Sequence, residues 1–394
     1  MQWHLVIFFV NVVLVLVGYY ATIKFNALAP VKVARIGFLA VSLLLLLPAL
    51  RKRPLSVGLR GHYIMGGFVV LNLLVVPFAL NVSVSLERLL TLVPFFVYIN
   101  LFAWWLVSTY APAEARYKVV AVTWLAYCFP VVCFYAVGNS GSINIYGDAS
   151  SGFQSNQLGW SCAVVLTAAA DLYSHRQGRV PLWAVALFGL GGLAALYLLL
   201  ISGSRSGYLC VAVLLLMQLL GRNRLGFAAR LAAVVVTLGA TIYLLADPES
   251  ALNRRYAKTR AQLETREARQ EAAVLGFRAF DRRENLILHG VGFDYYYEGL
   301  TKVLGRSPAK AHNSYLEILF DSGIFVFGYF LFLIVLPALG RFIMRDARRW
   351  SYLPVVLIIA YFESNYGAGQ FLFFPWFFWL CFYLHPVAKG VRLR

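Results

Sequence analysis

Residues 307–336 read SPAKAHNSYLEILFDSGIFVFGYFLFLIVL. From Tyr315 onward the run is apolar and exceeds the roughly 20 residues that a helix needs to cross about 30 Å of hydrocarbon. Glu317 and Asp321 interrupt its first turns, and Asp321-Ser322-Gly323 predicts a bend or a broken helix. A helix that only had to cross a bilayer would open on Tyr, Trp or a basic anchor. This one opens on His312 and Asn313.

Apolar runs of the same length recur along the chain. They predict twelve spans near residues 2–22, 31–50, 62–80, 89–109, 117–138, 157–173, 181–201, 206–220, 230–246, 313–339, 351–364 and 369–386. The 394 residues are 61% hydrophobic and 13% charged, about half the charge of an ordinary soluble domain. Mean hydropathy is +0.71. The runs are solidly apolar rather than alternating, which excludes a spanning β-barrel and predicts an all-α integral membrane protein.

In a soluble protein a net charge of +18 would point to nucleic acid. Here the basic residues sort by loop. Arg51, Lys52, Arg53, Arg60, Arg116, Lys118, Arg222, Arg224, Arg341 and Arg345 lie between spans on one side, whereas the short loops of the other side carry Lys24, Lys32, Arg35, Arg88 and Arg205. The positive-inside rule then puts both termini in the cytoplasm and argues against a nucleic-acid partner. The five cysteines all fall in apolar segments and read as small buried hydrophobes, neither a disulfide nor a metal framework. The run from Trp3 to Tyr20 lacks a basic leader and a small-residue cleavage site, so it is expected to be a retained first helix.

This reading divides the chain into nine spans over 1–246, an outer loop over 247–312 and three spans over 313–394. Long loops cross a membrane largely regardless of charge, so the loop's basic residues do not oppose the topology. Its first part, residues 249–288, is rich in Ala, Leu, Glu, Arg and Gln and predicts helix. Its second part, HGVGFDYYYEGLTKVLGRSPAKAHN, is rich in Gly and Tyr and predicts irregular chain.

Titratable and cationic features gather on the outer face by topology. In ISGSRSGYL, Arg205 stands among Ser and Gly, where the backbone can turn tightly; it reads either as a snorkelling anchor or as a presented guanidinium. Arg278 and Arg282 are four apart on one helical face. They read as a solvated face or as a converging pair suited to a diphosphate, whose oxygens the guanidinium fork binds two at a time. Asn313 or Ser314 can cap the following helix. Capping gives no reason for His312, whose near-neutral pKa suits a general base toward a sugar hydroxyl. Glu317 and Asp321 either orient His312 or an arginine, or form a paired structural set. The sequence has no P-loop, no HExxH and no closely spaced outer acid pair such as DxD, so phosphate, where handled, falls to arginine, and no cofactor or metal is expected.

Together, SRSG at 204–207, SNQLG at 155–159, GVGF at 290–293 and HNSYLEILFDSGIFVFG at 312–328 resemble the O-antigen ligase and polymerase superfamily. The likeness covers roughly residues 152–330. It implies an inverting, metal-independent glycosyltransferase with the C-type membrane architecture, in the inner membrane of a Gram-negative bacterium and working on the periplasmic face. Its donor would be a glycan on undecaprenyl diphosphate; for the ligase branch the acceptor is a sugar of the lipid A core. By the same resemblance Arg205 and Arg278 would stabilise the departing diphosphate and His312 would be the base. Arg282, Asn313, Tyr315, Asn156, Glu317 and Gly292 would contact substrate. The rival within the family is a polymerase, with a protein O-oligosaccharyltransferase next. A secondary transporter, using Glu317, Asp321 and Glu363, would need paired broken helices that the sequence does not display.

Overall fold

A computed structural model describes residues 3–25, 28–51, 59–110, 112–137, 155–174, 182–202, 204–220, 268–305 and 313–344, with isolated positions at 235, 239, 242, 246, 247 and 253. The described elements are all helical: α1 (Trp3–Phe25), α2 (Leu28–Leu50), α3 (Leu59–Val75) with a 3₁₀ turn (Val76–Phe78), α4 (Val82–Thr109), α5 (Pro112–Val137), α6 (Ser155–Ser174), α7 (Leu182–Ser202), α8 (Arg205–Leu220), α9 (Ala268–Arg282), α10 (Leu286–His289), α11 (Tyr296–Leu304) and α12 (Ser314–Met344). The first eight predicted spans coincide with α1 to α8. Those at 351–364 and 369–386 lie outside the described residues, as does most of 230–246.

The surface of the long helices is apolar. Leu44, Leu45 and Leu47 of α2, Val70 and Leu74 of α3, Val82, Leu86 and Leu90 of α4, and Leu187, Leu190 and Leu193 of α7 are exposed. Water would penalise such a surface and lipid would not.

The chain divides into two compact units. The first comprises residues 1–35, 113–262 and 347–359. Its core is the packing of α6 on α7 and α8, made close by small residues. A Cβ on Gly191 would stand 2.5 Å from Trp124, whose ring meets Phe188 edge-on at 5.0 Å. A Cβ on Gly207 would stand 2.9 Å from the backbone of Gly159, so α8 and α6 touch main chain to main chain.

The second unit comprises residues 36–112, 263–346 and 360–394. One part of it is a helical cap built on Phe320, which is fully buried. Phe277, Phe280 and Tyr296 set their rings against it at 5.4, 5.3 and 5.7 Å. Gly276 leaves room for that ring, because a Cβ there would lie 2.2 Å from it. Ala272, Ala279, Leu286, Val291 and Leu300 complete the core.

The structure corrects the sequence reading at two places. Residues 296–304 form helix α11 rather than irregular chain: Tyr296 and Leu300, four apart, both face the core, Gly299 packs on Val291, and Gly305 closes the helix at φ 72°. Burial of one face outweighs the weak helical preference of Tyr and Gly.

The second correction concerns the tenth predicted span. Ser314–Phe332 is, among the described residues, the one helix long and apolar enough to cross a membrane by length and composition. It is not straight, because Gly323 inside α12 sits at φ 78°, ψ 179°. In a straight helix Tyr315 and Phe330 would stand roughly 22 Å apart, whereas their ring centroids are 5.9 Å apart. The helix therefore doubles back at Gly323. Residues 314–322 are apolar because they fill the cap, whereas the arm 324–344 is about 31 Å long, enough to cross the hydrocarbon by itself.

Candidate functional site

Asn313 begins the first arm of α12, residues 314–322, as its N-cap. Its Oδ1 accepts the N–H of Tyr315 at 3.0 Å and of Leu316 at 3.1 Å, and its carbonyl accepts the N–H of Glu317 at 3.0 Å. The cap fixes the direction in which the chain enters the arm. His312, the residue before it, lies outside the described residues. Tyr315 is half-buried against Phe330, and Glu317 is buried.

The GVGF loop is seated on the elbow of α12. Doubling back at Gly323 deprives the carbonyls of Phe320 and Asp321 of their donors one turn on, and the loop replaces them. Val291 N–H donates to Phe320 O and Gly292 N–H to Asp321 O, both at 2.8 Å; Leu80 N–H donates to Val291 O at 3.0 Å. The Asp321 carboxylate, fully enclosed, accepts the N–H of Tyr295 at 3.1 Å. Asp321 is thus a strut for the loop.

Gly290 and Gly323, both at positive φ, let the loop and the elbow touch main chain to main chain: a Cβ on Gly290 would meet the Asp321 carbonyl at 2.2 Å and one on Gly323 the Leu288 carbonyl at 2.3 Å. Gly292 is buried with φ +130°, and a Cβ there would lie 2.3 Å from Ser85 Oγ. Its place is a backbone contact between loop and α4. Tyr296 reports the same enclosure: burial raises its phenol pKa, and the charges of Glu317 and Asp321 raise it further.

The two arginines of α9 part company. Arg278 is exposed and makes no hydrogen bond or ion pair among the described residues. Arg282, one turn later, donates from Nη1 to Val303 O at 3.2 Å and Leu304 O at 3.4 Å. It neutralises the C-terminal carbonyls of α11.

Sequence reading missed Arg88. From α4 it donates from Nη2 to Glu298 Oε1 at 3.0 Å and from Nη1 to the Asp294 carbonyl. Its guanidinium stands 5.8 Å from the Tyr295 ring centre, and Lys302 lies 5.4 Å from that ring. The available signal was a basic residue on the outer side, against the positive-inside trend.

Burial raises the Glu298 carboxyl pKa, but the hydrogen bond and charge of Arg88 outweigh it and hold the value below the ordinary one. A depressed folded pKa stabilises above the unfolded value, and the contribution disappears as pH falls through the folded value. Both side chains are partly exposed, so the pair is expected to contribute ~0.2–1 kcal/mol. Melting curves of Glu298→Gln in detergent should show that deficit at pH 7 and converge on the parent's as acid protonates the parent's Glu298.

In the first unit, Arg205 opens α8 and Asn156 lies in the first turn of α6. Ser204 Oγ accepts the N–H of Gly207 at 3.2 Å and caps α8 immediately before Arg205. Because Gly207 touches Gly159, the SRSG and SNQLG motifs bring these two helix starts side by side.

A family profile described as O-antigen ligase matches residues 190–333, from α7 through α8 and α9 into α12. No curated protein matches the chain.

Proposed function

We propose, from the O-antigen ligase family profile that matches residues 190–333, that the chain is a glycosyltransferase ligating a lipid-linked glycan to the lipid A core. The donor is a glycan on undecaprenyl diphosphate, and the reaction runs on the periplasmic side of a bacterial inner membrane. The observation that carries this reading is the family match itself, because the matched stretch holds Arg205, Arg278 and His312 together.

His312 accepts the proton of a core sugar hydroxyl, and that oxygen attacks the anomeric carbon of the donor from the face opposite the diphosphate. The glycosyl–phosphate bond breaks and the configuration inverts. Arg205 and Arg278 receive the departing undecaprenyl diphosphate, whose negative charge grows as the bond lengthens. Two features support these roles: the capped start of α8 at Arg205, and the exposed position of Arg278, which makes no hydrogen bond or ion pair among the described residues.

The two arginines of α9 then have different signatures. Arg278→Ala should lower transfer by about 10²-fold or more, as loss of a transition-state charge donor does, and leave melting unchanged. Arg282→Ala should instead lower stability by ~1 kcal/mol, since it removes a cap and not a substrate contact. Transfer rates and melting curves of both variants check the assignment.

The reading is tested in proteoliposomes containing the purified protein, undecaprenyl-diphosphate-linked glycan and lipid A core. Glycosylated core with free undecaprenyl diphosphate is the expected product. Longer glycan on the carrier with unmodified core would make the protein a polymerase; an unaltered donor would remove it from glycosyl transfer.

A further inference from the structure

Five exposed apolar side chains crowd the junction of α10 with the elbow of α12. Ile287 and Leu288 of α10 are 43% and 48% exposed, Phe78 of the 3₁₀ turn 63%, and Phe325, just past the elbow, 62%; Ile324 is exposed beside it. They adjoin one another. A Cβ on Gly323 would stand 2.3 Å from Leu288 O, and the Phe78 ring lies 5.6 Å from that of His289.

Three elements that cross the membrane on the present reading end at this height. The turn between α3 and α4 occupies residues 76–81, and Leu80 N–H in that turn holds Val291 O. Ser322 Oγ donates to Asn72 Oδ1 at 2.8 Å, which sets the elbow one turn below the end of α3. The arm 324–344 starts there. The apolar patch is therefore continuous with the apolar flanks of α3 and α12, where Leu73, Leu74 and Phe325 are exposed. Polar Arg283, Glu284 and Asn285, all exposed, precede α10.

The geometry points to α10 and Phe78 as a lipid-bedded edge of the outer cap: Ile287, Leu288 and Phe78 sit at the boundary of acyl chains and headgroups of the outer leaflet. Bilayer phospholipid is the partner. The cap that carries Arg278 is thereby tied to the membrane surface through α10 as well as through its helical connections. Burying these side chains in lipid removes apolar surface from water, the driving force that holds interfacial segments at a bilayer. The inference rests on the membrane-spanning reading of α3, α4 and α12 and not on the glycan chemistry.

Nitroxide labels at Ile287→Cys, Leu288→Cys and Phe78→Cys in the full chain, in phospholipid nanodiscs, test it by collision with oxygen and with a water-soluble nickel chelate. Glu284→Cys is the water reference and Phe325→Cys the lipid reference, with labelling of the unsubstituted chain subtracted. The oxygen-to-nickel ratio at 287, 288 and 78 should exceed that at 284 severalfold and approach that at 325. Ratios at 287 and 288 equal to that at 284, with 325 still oxygen-favoured, would overturn the lipid-bedded edge. Nickel access at 325 as well would remove its premise, that the arm 324–344 lies in lipid. Glycan transfer is not read, so either failure leaves the functional proposal to its own test.

Discussion

Alanine at His312 should give a protein that inserts and melts like the parent but transfers glycan ~10²–10⁴-fold more slowly, the range that a positioned general base supplies. Asn313, whose side chain and carbonyl receive three backbone N–H groups, caps the start of α12. A base acts on the acceptor hydroxyl and not on the fold, so loss of the imidazole should register in rate and not in folding. A base must be unprotonated, and imidazole titrates near pH ~6.5. Parent activity should therefore fall as pH drops through that region, whereas the residual rate of His312→Ala should lack this limb. Initial rates in proteoliposomes between pH 5 and about pH 8 check both expectations. A variant within a few-fold of the parent, with the acid limb intact, would assign the base elsewhere.

The second large effect concerns folding. Gly323 occupies φ 78°, ψ 179°, a region that is essentially glycine-only and costs other residues ~1–3 kcal/mol. An added Cβ would also lie 2.3 Å from Leu288 O and 2.5 Å from His289 N, backbone atoms that cannot rotate away. Overpacking of this kind adds a further ~1–3 kcal/mol. The sum is a large part of the ~5–15 kcal/mol that holds an ordinary domain together. Gly323→Ala should therefore lose the elbow, release the GVGF loop and yield aggregated or early-melting protein.

Gly305→Ala is the control, because its φ of +72° is similar but no atom of the described residues lies within 4 Å of the added Cβ. It should cost only the conformational ~1–2 kcal/mol. Monodispersity in detergent and melting curves compare the two. Equal behaviour would mean that the close approach of Gly323 to Leu288 and His289 does not hold the cap.

The long helices were legible because lipid and helix impose one signal, a sustained apolar run. Asp321-Ser322-Gly323 also announced a break in α12. Its direction was not legible. Residues 314–322 look like membrane in composition, yet Leu319 and Phe320 are apolar because α9 to α11 cover them. Local sequence does not distinguish burial by protein from burial by lipid.

The same limit applies to the charged residues. The i, i+4 spacing of Arg278 and Arg282 puts both on one helix face, but only the position of the end of α11 shows that Arg282 is occupied there. Arg88 pairs with Glu298 across 210 residues of chain, a distance at which spacing carries no information. Asn313, whose partners are two and three residues away, was legible as a cap.

The most direct test of glycan ligation is mass spectrometry of the undecaprenyl-linked pool, together with a lipopolysaccharide gel, in cells whose only copy carries His312→Ala. Long glycan chains stranded on the carrier, with bare core on lipid A, are the predicted result. Single repeat units on the carrier with at most one unit on core would contradict ligation and show polymerisation, and fully capped lipopolysaccharide would contradict the role of His312.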